Sequence, residues 1–439
     1  MSSPTTNVPA LNDEKQTRAA SSPHNLTTAA SMQDTALGPW FESHVESASQ
    51  VSLVRHVDPV GPILLPPECL LGACSTSRGD LNEWPFVEQQ VLSQNSSKRR
   101  VHRALWVSKI PGRKGVVIPC ALKFVADGNA RDGRSIKREV ECHMYIFQKL
   151  TEKHAAKDIH NKWPCAELIG YVLANEDAGQ CVLLTRKLSG PDFFDIIRAE
   201  ITGNRPKDAE IYEFHKLRWC SIAMRRIRQL TKLGVRHNDI KPDNLVLDYY
   251  QDADSQQKMM DVKIIDLGTA SMEQSKDFTG GTSWYESPEQ KVLEFHTKRR
   301  RNPTLAKTVD MTLASDLWSA GLTVTEVLMG KRAVDTMKPP HGPGTLSFRG
   351  HYSDDPALNG WEVDPDEWIL IARKSLGLEK TRHRYPVCAE AARWIFHNMV
   401  RVAPTERASL DSAIHVLEMY TEKAYQTARR RSLMAGSPI

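Results

Sequence analysis

The chain of 439 residues lacks long apolar runs, paired cysteines and a strong net charge, each of which would indicate a particular class of protein. No apolar stretch approaches the roughly 20 residues that span a bilayer, and no basic segment followed by an apolar one opens the sequence. We therefore expect neither membrane insertion nor export. With 40% hydrophobic and 25% charged residues, the composition predicts a mostly globular protein that is long enough for two packed lobes.

The eight cysteines form neither a CxxC pair nor a His/Cys cluster at zinc-finger spacing. A disulfide framework and a structural zinc site are therefore not indicated. We expect reduced thiols, several of them in the core, in an intracellular protein of the cytoplasm or nucleus.

The formal net charge of +5 is only mildly basic and requires no nucleic-acid partner. Nothing in the sequence indicates an oligomeric state.

Composition divides the chain into a tail and a folded part. Residues 1–80 are rich in Ser, Thr, Pro, Asn and Ala without a sustained period of 2 or 3.6, which favours a disordered N-terminal tail. Within the tail only residues 62–73, PILLPPECLLGA, are apolar enough to dock on another surface. Short strands and turns follow, then a helix-rich half that ends near residue 424. Residues 425–439 are predicted to form a basic C-terminal tail.

The most informative segments are HNDIKPDN, residues 237–244, and KIIDLG, residues 263–268. Asp239 precedes Asn244 by five residues, and Asp266 ends an apolar strand shortly before a glycine. Two carboxylates and an amide can hold magnesium against the phosphates of a nucleotide while Asp239 orients an incoming hydroxyl. These are the groups that phosphoryl transfer requires.

The two strings resemble the catalytic loop and the metal-binding loop of eukaryotic protein kinases of the serine/threonine type, usually HRDLKPEN and DFG. Asn238 in place of arginine and Leu267 in place of phenylalanine depart from that pattern. The resemblance implies an α+β, bilobal protein-kinase-like fold with a small β-rich N-lobe and a larger, mainly helical C-lobe. We predict the small lobe at residues 81–184 and the large lobe at residues 185–424.

A lysine-bearing strand and a charged helix extend the resemblance into the small lobe. Lys123 in CALK resembles the lysine of the family's VAIK strand, and the helix expected over residues 134–150 supplies its acidic partner. Glu139 and Glu141 are two residues apart, roughly 200° around a helix, so both cannot face the lysine. We favour Glu141.

Residues 181–197, CVLLTRKLSGPDFFDII, resemble the kinase hinge. The resemblance implies that Thr185 is the gatekeeper, that Leu188 offers backbone groups to adenine, and that Asp192 reaches a ribose hydroxyl. Without its neighbours the same stretch would be interpreted only as a strand followed by a turn.

The glycine-rich phosphate loop of the family is missing, because its three glycine positions fall on Gln94, Ser96 and Arg99. Side chains there obstruct the approach of backbone amides to phosphates. We expect weaker ATP binding unless the basic residues of this turn supply charge instead; a hairpin tip without a nucleotide role is the alternative. The flanking strands carry the other residues expected to contact the nucleotide, which are Leu92, Val101 and Ala121.

The resemblance gives each chemical residue a role. Lys123 would pair with the α and β phosphates of ATP, Asn244 and Asp266 would hold Mg²⁺, and Asp239 would accept the proton of the substrate hydroxyl. Lys241 matches the lysine typical of serine/threonine kinases. ATP and Mg²⁺ are thus the expected cofactors, and the expected partner is a protein substrate with a Ser or Thr acceptor.

Three downstream strings continue the resemblance, which covers about residues 86–420. GGTSWYESPEQ resembles the end of the activation segment, where Thr282 would contact the substrate site. Glu289 is the last residue of SPE, which stands where the family has the motif APE. SDLWSAG resembles the start of a buried helix whose Asp316 would brace the catalytic-loop backbone. APTERASL supplies Arg407 as the expected partner of Glu289.

Two further features follow from the same resemblance. Asn238 removes the arginine that clamps a phosphorylated activation loop in many relatives, so we do not expect a phosphate-driven switch. Extra material relative to the family pattern is interpreted as surface insertions at residues 249–261, 295–313 and 337–364.

The sequence leaves three functions open. An active serine/threonine protein kinase is favoured. A pseudokinase acting as a binding scaffold is suggested by the missing glycines but opposed by retention of Lys123, Asp239, Asn244 and Asp266. A small-molecule kinase of the choline or aminoglycoside type would suit HND followed by IID, but such enzymes lack the activation segment that is present here.

Overall fold

The computed structural model describes residues 63–64, 86–94, 99–107, 117–125, 130–154, 162–175, 180–204, 206, 208–251, 258–272, 280–298, 312–336 and 365–434. The strands in this part of the chain are β1 (Ile63–Leu64), β2 (Phe86–Gln94), β3 (Arg99–Val107), β4 (Val117–Val125), β5 (Leu168–Asn175), β6 (Gln180–Arg186), β7 (Val235–Arg236), β8 (Leu245–Gln251), β9 (Lys258–Ile264) and β10 (Ser271–Met272). The helices are α1 (Ala130–Lys153), α2 (Phe193–Ile201), α3 (Ala209–Lys232), α4 (Pro288–Lys298), α5 (Ala314–Met329), α6 (Ala333–Thr336), α7 (Pro365–Ser375), α8 (Pro386–Met399) and α9 (Leu410–Met434).

The first lobe is built on one sheet whose described strands follow the order β1-β5-β6-β4-β3-β2. Neighbours pair antiparallel except β1, which runs parallel to β5. Helix α1 packs on this sheet through a cluster that contains Ile136, Val140 and Leu183. Because side chains alternate along a strand, Cys120 and Leu122 of β4 lie on one face and Ala121 and Lys123 on the other.

The second lobe is mainly helical. Its largest fully buried side chains include Trp219, Trp318 and Trp368, and the rings of the last two lie 5.5 Å apart. Helix α3 starts at a polar cap, since the Asp208 carboxylate accepts the backbone N–H of Glu210 at 3.1 Å. Together the two lobes form the bilobal α+β fold expected from the sequence.

The hinge between the lobes is bonded to strand β8. Gly190 N donates to Leu247 O, and Leu247 N donates to Pro191 O, each at 3.0 Å. A Cβ atom on Gly190 would lie 2.8 Å from both Cβ and O of Leu247, so only glycine fits this approach. Strand β6, which precedes the hinge, ends at Arg186.

The structure describes part of each predicted tail. Strand β1 lies within the apolar stretch at residues 62–73, and it extends the sheet edge beside Gly170 and Tyr171. Helix α9 continues to Met434, so most of the predicted C-terminal tail is helical. The rest of the predicted N-terminal tail to residue 80 lies outside the described residues.

The predicted insertions fall partly or wholly outside the described residues. The first begins inside the hairpin of β8 and β9, whose strands pair antiparallel from Leu245 opposite Ile264 to Gln251 opposite Lys258.

The six described cysteines are all buried, as expected for core residues. In the part of the chain that the structure describes, no helix combines the length and the apolar character needed to cross a bilayer.

Candidate active site

Lys123 lies between two carboxylates that come from different lobes. Its Nζ is 2.5 Å from Glu139 Oε2 on helix α1 and 2.7 Å from Asp266 Oδ1, which follows strand β9. The lysine and Glu139 side chains are buried, whereas 35% of the Asp266 side chain is exposed. The sheet, the helix and the second lobe thus meet at one ammonium group.

The choice of Glu141 as the lysine's partner is wrong: the structure pairs Lys123 with Glu139, and Glu141 is exposed. The physical reason is the phase of helix α1. Ile136, Glu139 and Val140 share the buried face of the helix, which packs on the sheet, while Glu141 points away. The spacing of apolar residues along the helix was the signal that identifies Glu139.

Helix α1 also contacts the loop that follows Asp266. Arg138 Nη1 and Ser135 Oγ donate to the carbonyl oxygen of Gly268 at 3.2 and 3.3 Å. Asp266 itself adopts a left-handed backbone conformation, with φ 62°. This conformation is uncommon outside glycine and is often retained at functional sites.

The loop that carries Asp239 is hydrogen-bonded to Asp316 of helix α5. Asp316 accepts the backbone N–H groups of His237 at 2.7 Å and of Asn238 at 2.9 Å. Burial raises the pKa of the Asp316 carboxyl, and the nearby His237 and these two hydrogen bonds act against that shift. The arrangement is the backbone brace that the family resemblance implies for Asp316.

Asp239 is linked to the segment that precedes helix α4. Its Oδ1 accepts the Thr282 backbone N–H at 2.7 Å, and its Oδ2 lies 2.9 Å from Lys241 Nζ. The same lysine donates to Thr282 Oγ1 at 2.7 Å. A carboxylate, an ammonium and a hydroxyl are thereby held together within hydrogen-bond distance.

The donor set near Asp239 suits a hard divalent cation. Asn244 Nδ2 donates to the Asp239 carbonyl at 2.8 Å, which leaves its amide oxygen as the atom available for an ion. Together with the Asp266 carboxylate it offers the oxygen ligands that Mg²⁺ prefers. No group of three or more His, Cys, Asp or Glu side chains suited to metal binding occurs among the described residues. The pair fits an ion that takes its remaining ligands from water and phosphate.

Four of the residues predicted to contact the nucleotide share one face of the sheet. Ala121 lies opposite Thr185, and Lys123 lies opposite Val101, in neighbouring strands. Directly opposed residues point to the same side of a sheet, as do residues two apart on one strand. Leu92 belongs to strand β2, but its side chain, like the tip of the adjoining hairpin, lies outside the described residues.

Leu188 belongs to an apolar cluster that the sequence motifs did not predict. Its side chain packs with Ala166, Val246 and Ile265, which bring the hinge, strand β8 and the residue before Asp266 together. Val246 follows Asn244 closely, and this position next to a chemical motif was the available signal. The cluster places an apolar group of buried side chains directly beside the residue that precedes Asp266.

Asp192 has a structural role that the sequence did not predict. It caps helix α2, because its Oδ1 accepts the backbone N–H of Asp195 at 2.7 Å. Burial, followed by the charge of Asp195, raises the pKa of Asp192 to about 7. Hydrogen bonds from the backbone N–H groups of Asp195 and Phe194 act against that shift.

Glu289 and Arg407 are joined by two parallel hydrogen bonds, at 2.5 and 2.7 Å. Arg407 also donates to the Ala314 carbonyl at 2.7 Å and lies over the Trp318 ring. A planar guanidinium that forks onto a carboxylate fixes both distance and orientation. The pair connects the end of the Thr282 segment to the core of the second lobe.

The described fold and site define the chain as a protein of the kinase class. Residues 136–417, more than half of the chain, match the family model of the protein kinase domain. The chain therefore belongs to the protein kinase domain family.

Three curated proteins are similar to parts of the chain. Mitogen-activated protein kinase kinase 10 of Arabidopsis thaliana is 32% identical over 106 residues, which are 24% of this chain and 29% of that protein. Mitogen-activated protein kinase 15 of Caenorhabditis elegans is 26% identical over 185 residues, 36% and 34% of the two chains. Mitogen-activated protein kinase mpkB of Aspergillus fumigatus is 27% identical over 157 residues, 34% and 35%. The chain spans about a third of the length of these relatives.

Proposed function

We propose that the protein is a serine/threonine protein kinase, which transfers the γ-phosphate of ATP to a hydroxyl group of a protein substrate. The observation that carries the proposal is the contact of Lys123 with Asp266 across the two lobes. It brings a cation suited to phosphates beside a carboxylate suited to magnesium. Family membership and the names of the related mitogen-activated protein kinases support the same class of reaction.

In this proposal Asp239 receives the proton of the acceptor hydroxyl. The hydroxyl oxygen forms a bond to the γ-phosphorus, while the bond from that phosphorus to the oxygen bridging to the β-phosphate breaks. The electron pair of the broken bond leaves with ADP. Lys241 lies beside both Asp239 and Thr282, so it can neutralise charge on the transferred group.

The nucleotide is oriented by residues of both lobes. Lys123 pairs with the phosphates, and Glu139 keeps the lysine extended into the cleft. Asn244 and Asp266 would hold Mg²⁺, which when bound neutralises phosphate charge and fixes the geometry of the phosphate chain. Positioning and charge neutralisation account for most of the catalysis of phosphoryl transfer.

Specificity for serine and threonine is supported by the bond between Lys241 and Thr282 at 2.7 Å. This bond ties the catalytic loop to the segment expected to receive the substrate. Lys241 also stands where serine/threonine kinases carry a lysine. A binding scaffold is the second candidate, supported by Gln94, which ends strand β2, and Arg99, which begins strand β3, at positions where the family has glycine.

Transfer of radiolabelled γ-phosphate from ATP to casein tests the proposal. We expect Mg²⁺-dependent labelling of serine and threonine by the wild-type protein, and at least a 100-fold loss in Asp239→Asn. Choline in place of casein is the control for a small-molecule kinase. Nucleotide binding without any transfer would support the scaffold, and labelling of choline alone would contradict a protein substrate.

A further inference from the structure

The Ser271 hydroxyl is a buried meeting point that the proposed mechanism does not use. Arg236 Nε donates to Ser271 Oγ at 3.2 Å, and Asn238 Nδ2 donates to the same oxygen at 3.0 Å. Ser271 is 4% exposed, Arg236 2% and Asn238 2%. Hydrogen bonds at this depth are shielded from competition by water.

The three residues connect the two loops that carry the proposed chemistry. Asn238 directly precedes Asp239, and Ser271 closely follows Asp266 along the chain. Strands β7 and β10 place Ser271 directly opposite Arg236 in an antiparallel pair. The pairing of Ser271 with Arg236 therefore sets the distance between the loop that carries Asp239 and the loop that follows Asp266.

Further hydrogen bonds run between the same loops. Asn238 Nδ2 also donates to the Thr269 carbonyl at 2.9 Å, and Thr269 Oγ1 donates to the His237 carbonyl at 3.2 Å. Asn238 reaches these partners from a left-handed backbone conformation, with φ 63°. Asparagine tolerates that conformation better than other residues with a side chain, apart from a few short polar ones.

We propose that Ser271 is a positioning residue for phosphoryl transfer, whose hydroxyl, held by Arg236 and Asn238, keeps the loop after Asp266 in register with the loop that carries Asp239. This inference rests on the proposed kinase function. The connection consists of side chains already present in the folded chain, so it requires no added phosphate. Ser271 acts through the two aspartates and does not touch the substrate.

Two variants remove the hydrogen bonds with little change in backbone demands. Ser271→Ala deletes the shared oxygen and leaves the backbone pairing of β10 with β7 in place. Asn238→Gly deletes the amide, and glycine adopts the left-handed conformation without strain. Since transfer falls steeply when reacting groups are misplaced by about 1 Å, we expect each variant to lower kcat by about 10- to 100-fold. The KM for ATP should stay within about 2-fold of wild type, because the contacts of Lys123 are unchanged.

The double variant tests whether Ser271 and Asn238 act together, through their shared hydrogen bond, or independently. If both residues act through the same hydrogen bonds, Ser271→Ala with Asn238→Gly should lose no more kcat than the worse single variant. Ser271→Thr, which keeps the hydroxyl, should retain more activity than Ser271→Ala. The matched control is Thr421→Val on helix α9, which removes a buried hydroxyl that donates to the Leu417 carbonyl at 2.6 Å.

The measurement is steady-state transfer to casein with the full chain, together with the Tm of each variant. Single variants that keep kcat within 2-fold of an active wild type would overturn the inference. So would losses that multiply in the double variant, or that match those of Thr421→Val at equal Tm. Absence of transfer by the wild type would instead refute the proposed kinase function, and the positioning role with it.

Discussion

Lys123 is bonded to Glu139 and not to Glu141, although the two glutamates are only two residues apart on the same helix. This pair links helix α1 to strand β4 of the sheet. Glu139 and Glu141 can therefore be compared directly by mutation. They have the same side chain and lie on the same helix, but Glu139 is buried and Glu141 is exposed.

Glu139→Gln should lower kcat/KM for ATP by about 10- to 100-fold, a loss of about 1.4 to 2.8 kcal/mol of transition-state stabilisation. Without the charge of Glu139, Lys123 pairs with Asp266 alone and is no longer drawn towards helix α1. Glu141→Gln, at an exposed position, should stay within about 2-fold of wild type. Steady-state kinetics with varied ATP measures both, and equal effects in the two variants would contradict the assignment.

Asp239→Asn and Asp266→Asn should separate chemistry from nucleotide binding. Asp239→Asn should lose about 10²- to 10⁴-fold in transfer while binding the nucleotide nearly as wild type does, because it removes the carboxylate proposed to accept the proton. Asp266→Asn should weaken Mg²⁺-dependent nucleotide binding, since it removes the carboxylate proposed to hold the ion. Thermal-shift titration with ATP, with and without Mg²⁺, measures the contrast. A similar loss of binding in both variants would contradict these roles.

The residues that could be predicted from sequence are those whose geometry is local or belongs to a short motif. Asp239 and Asn244 lie on one short loop, so their spacing alone brings them together. The partnership of Glu289 with Arg407 could be predicted only through the family resemblance, because a large sequence separation lies between them.

The missed features depend on tertiary packing. The choice between Glu139 and Glu141 is set by the face of helix α1 that packs on the sheet, and Glu141 was favoured because the spacing of apolar residues along that helix was not used. The contact of Arg236 with Ser271 requires the pairing of two short strands, which no periodic pattern in two residues can reveal. The capping role of Asp192 could have been inferred from its place before a helix.

The bond between Glu289 and Arg407 should contribute strongly to stability. Arg407→Met leaves the Glu289 carboxylate without its buried partner, which typically costs about 3 to 5 kcal/mol. The control is Arg401→Met, because the Arg401–Glu406 pair has side chains 43% and 56% exposed and should contribute at most about 1 kcal/mol. Urea denaturation of both variants measures the free energies of unfolding. An equal loss of unfolding free energy in both variants would show that the buried Glu289–Arg407 pair stabilises the fold no more than the exposed Arg401–Glu406 pair does.

Asp192 should make nucleotide binding depend on pH near neutrality. Its pKa is raised from 3.8 to about 7, mainly by burial. The carboxyl is therefore protonated in the folded protein below about pH 7, and the stabilisation that this proton gives the fold is lost as the pH rises through 7. The ionised form accepts a ribose hydroxyl more strongly, so the KM for ATP of the wild-type protein should fall between pH 6 and pH 8.

Asp192→Asn is the matched variant for this prediction, because asparagine caps a helix as well as aspartate does and does not ionise in this range. Titration of ATP itself affects both proteins equally, so the ratio of their KM values isolates the contribution of residue 192. We expect Asp192→Asn to bind ATP about as well as wild type at pH 6 and less well at pH 8. The raised pKa should also appear as a steeper loss of Tm for wild type than for Asp192→Asn as the pH rises from about 4 to 7, measured without nucleotide. A KM ratio that stays constant from pH 6 to pH 8 would show that the Asp192 carboxylate does not contact the ribose.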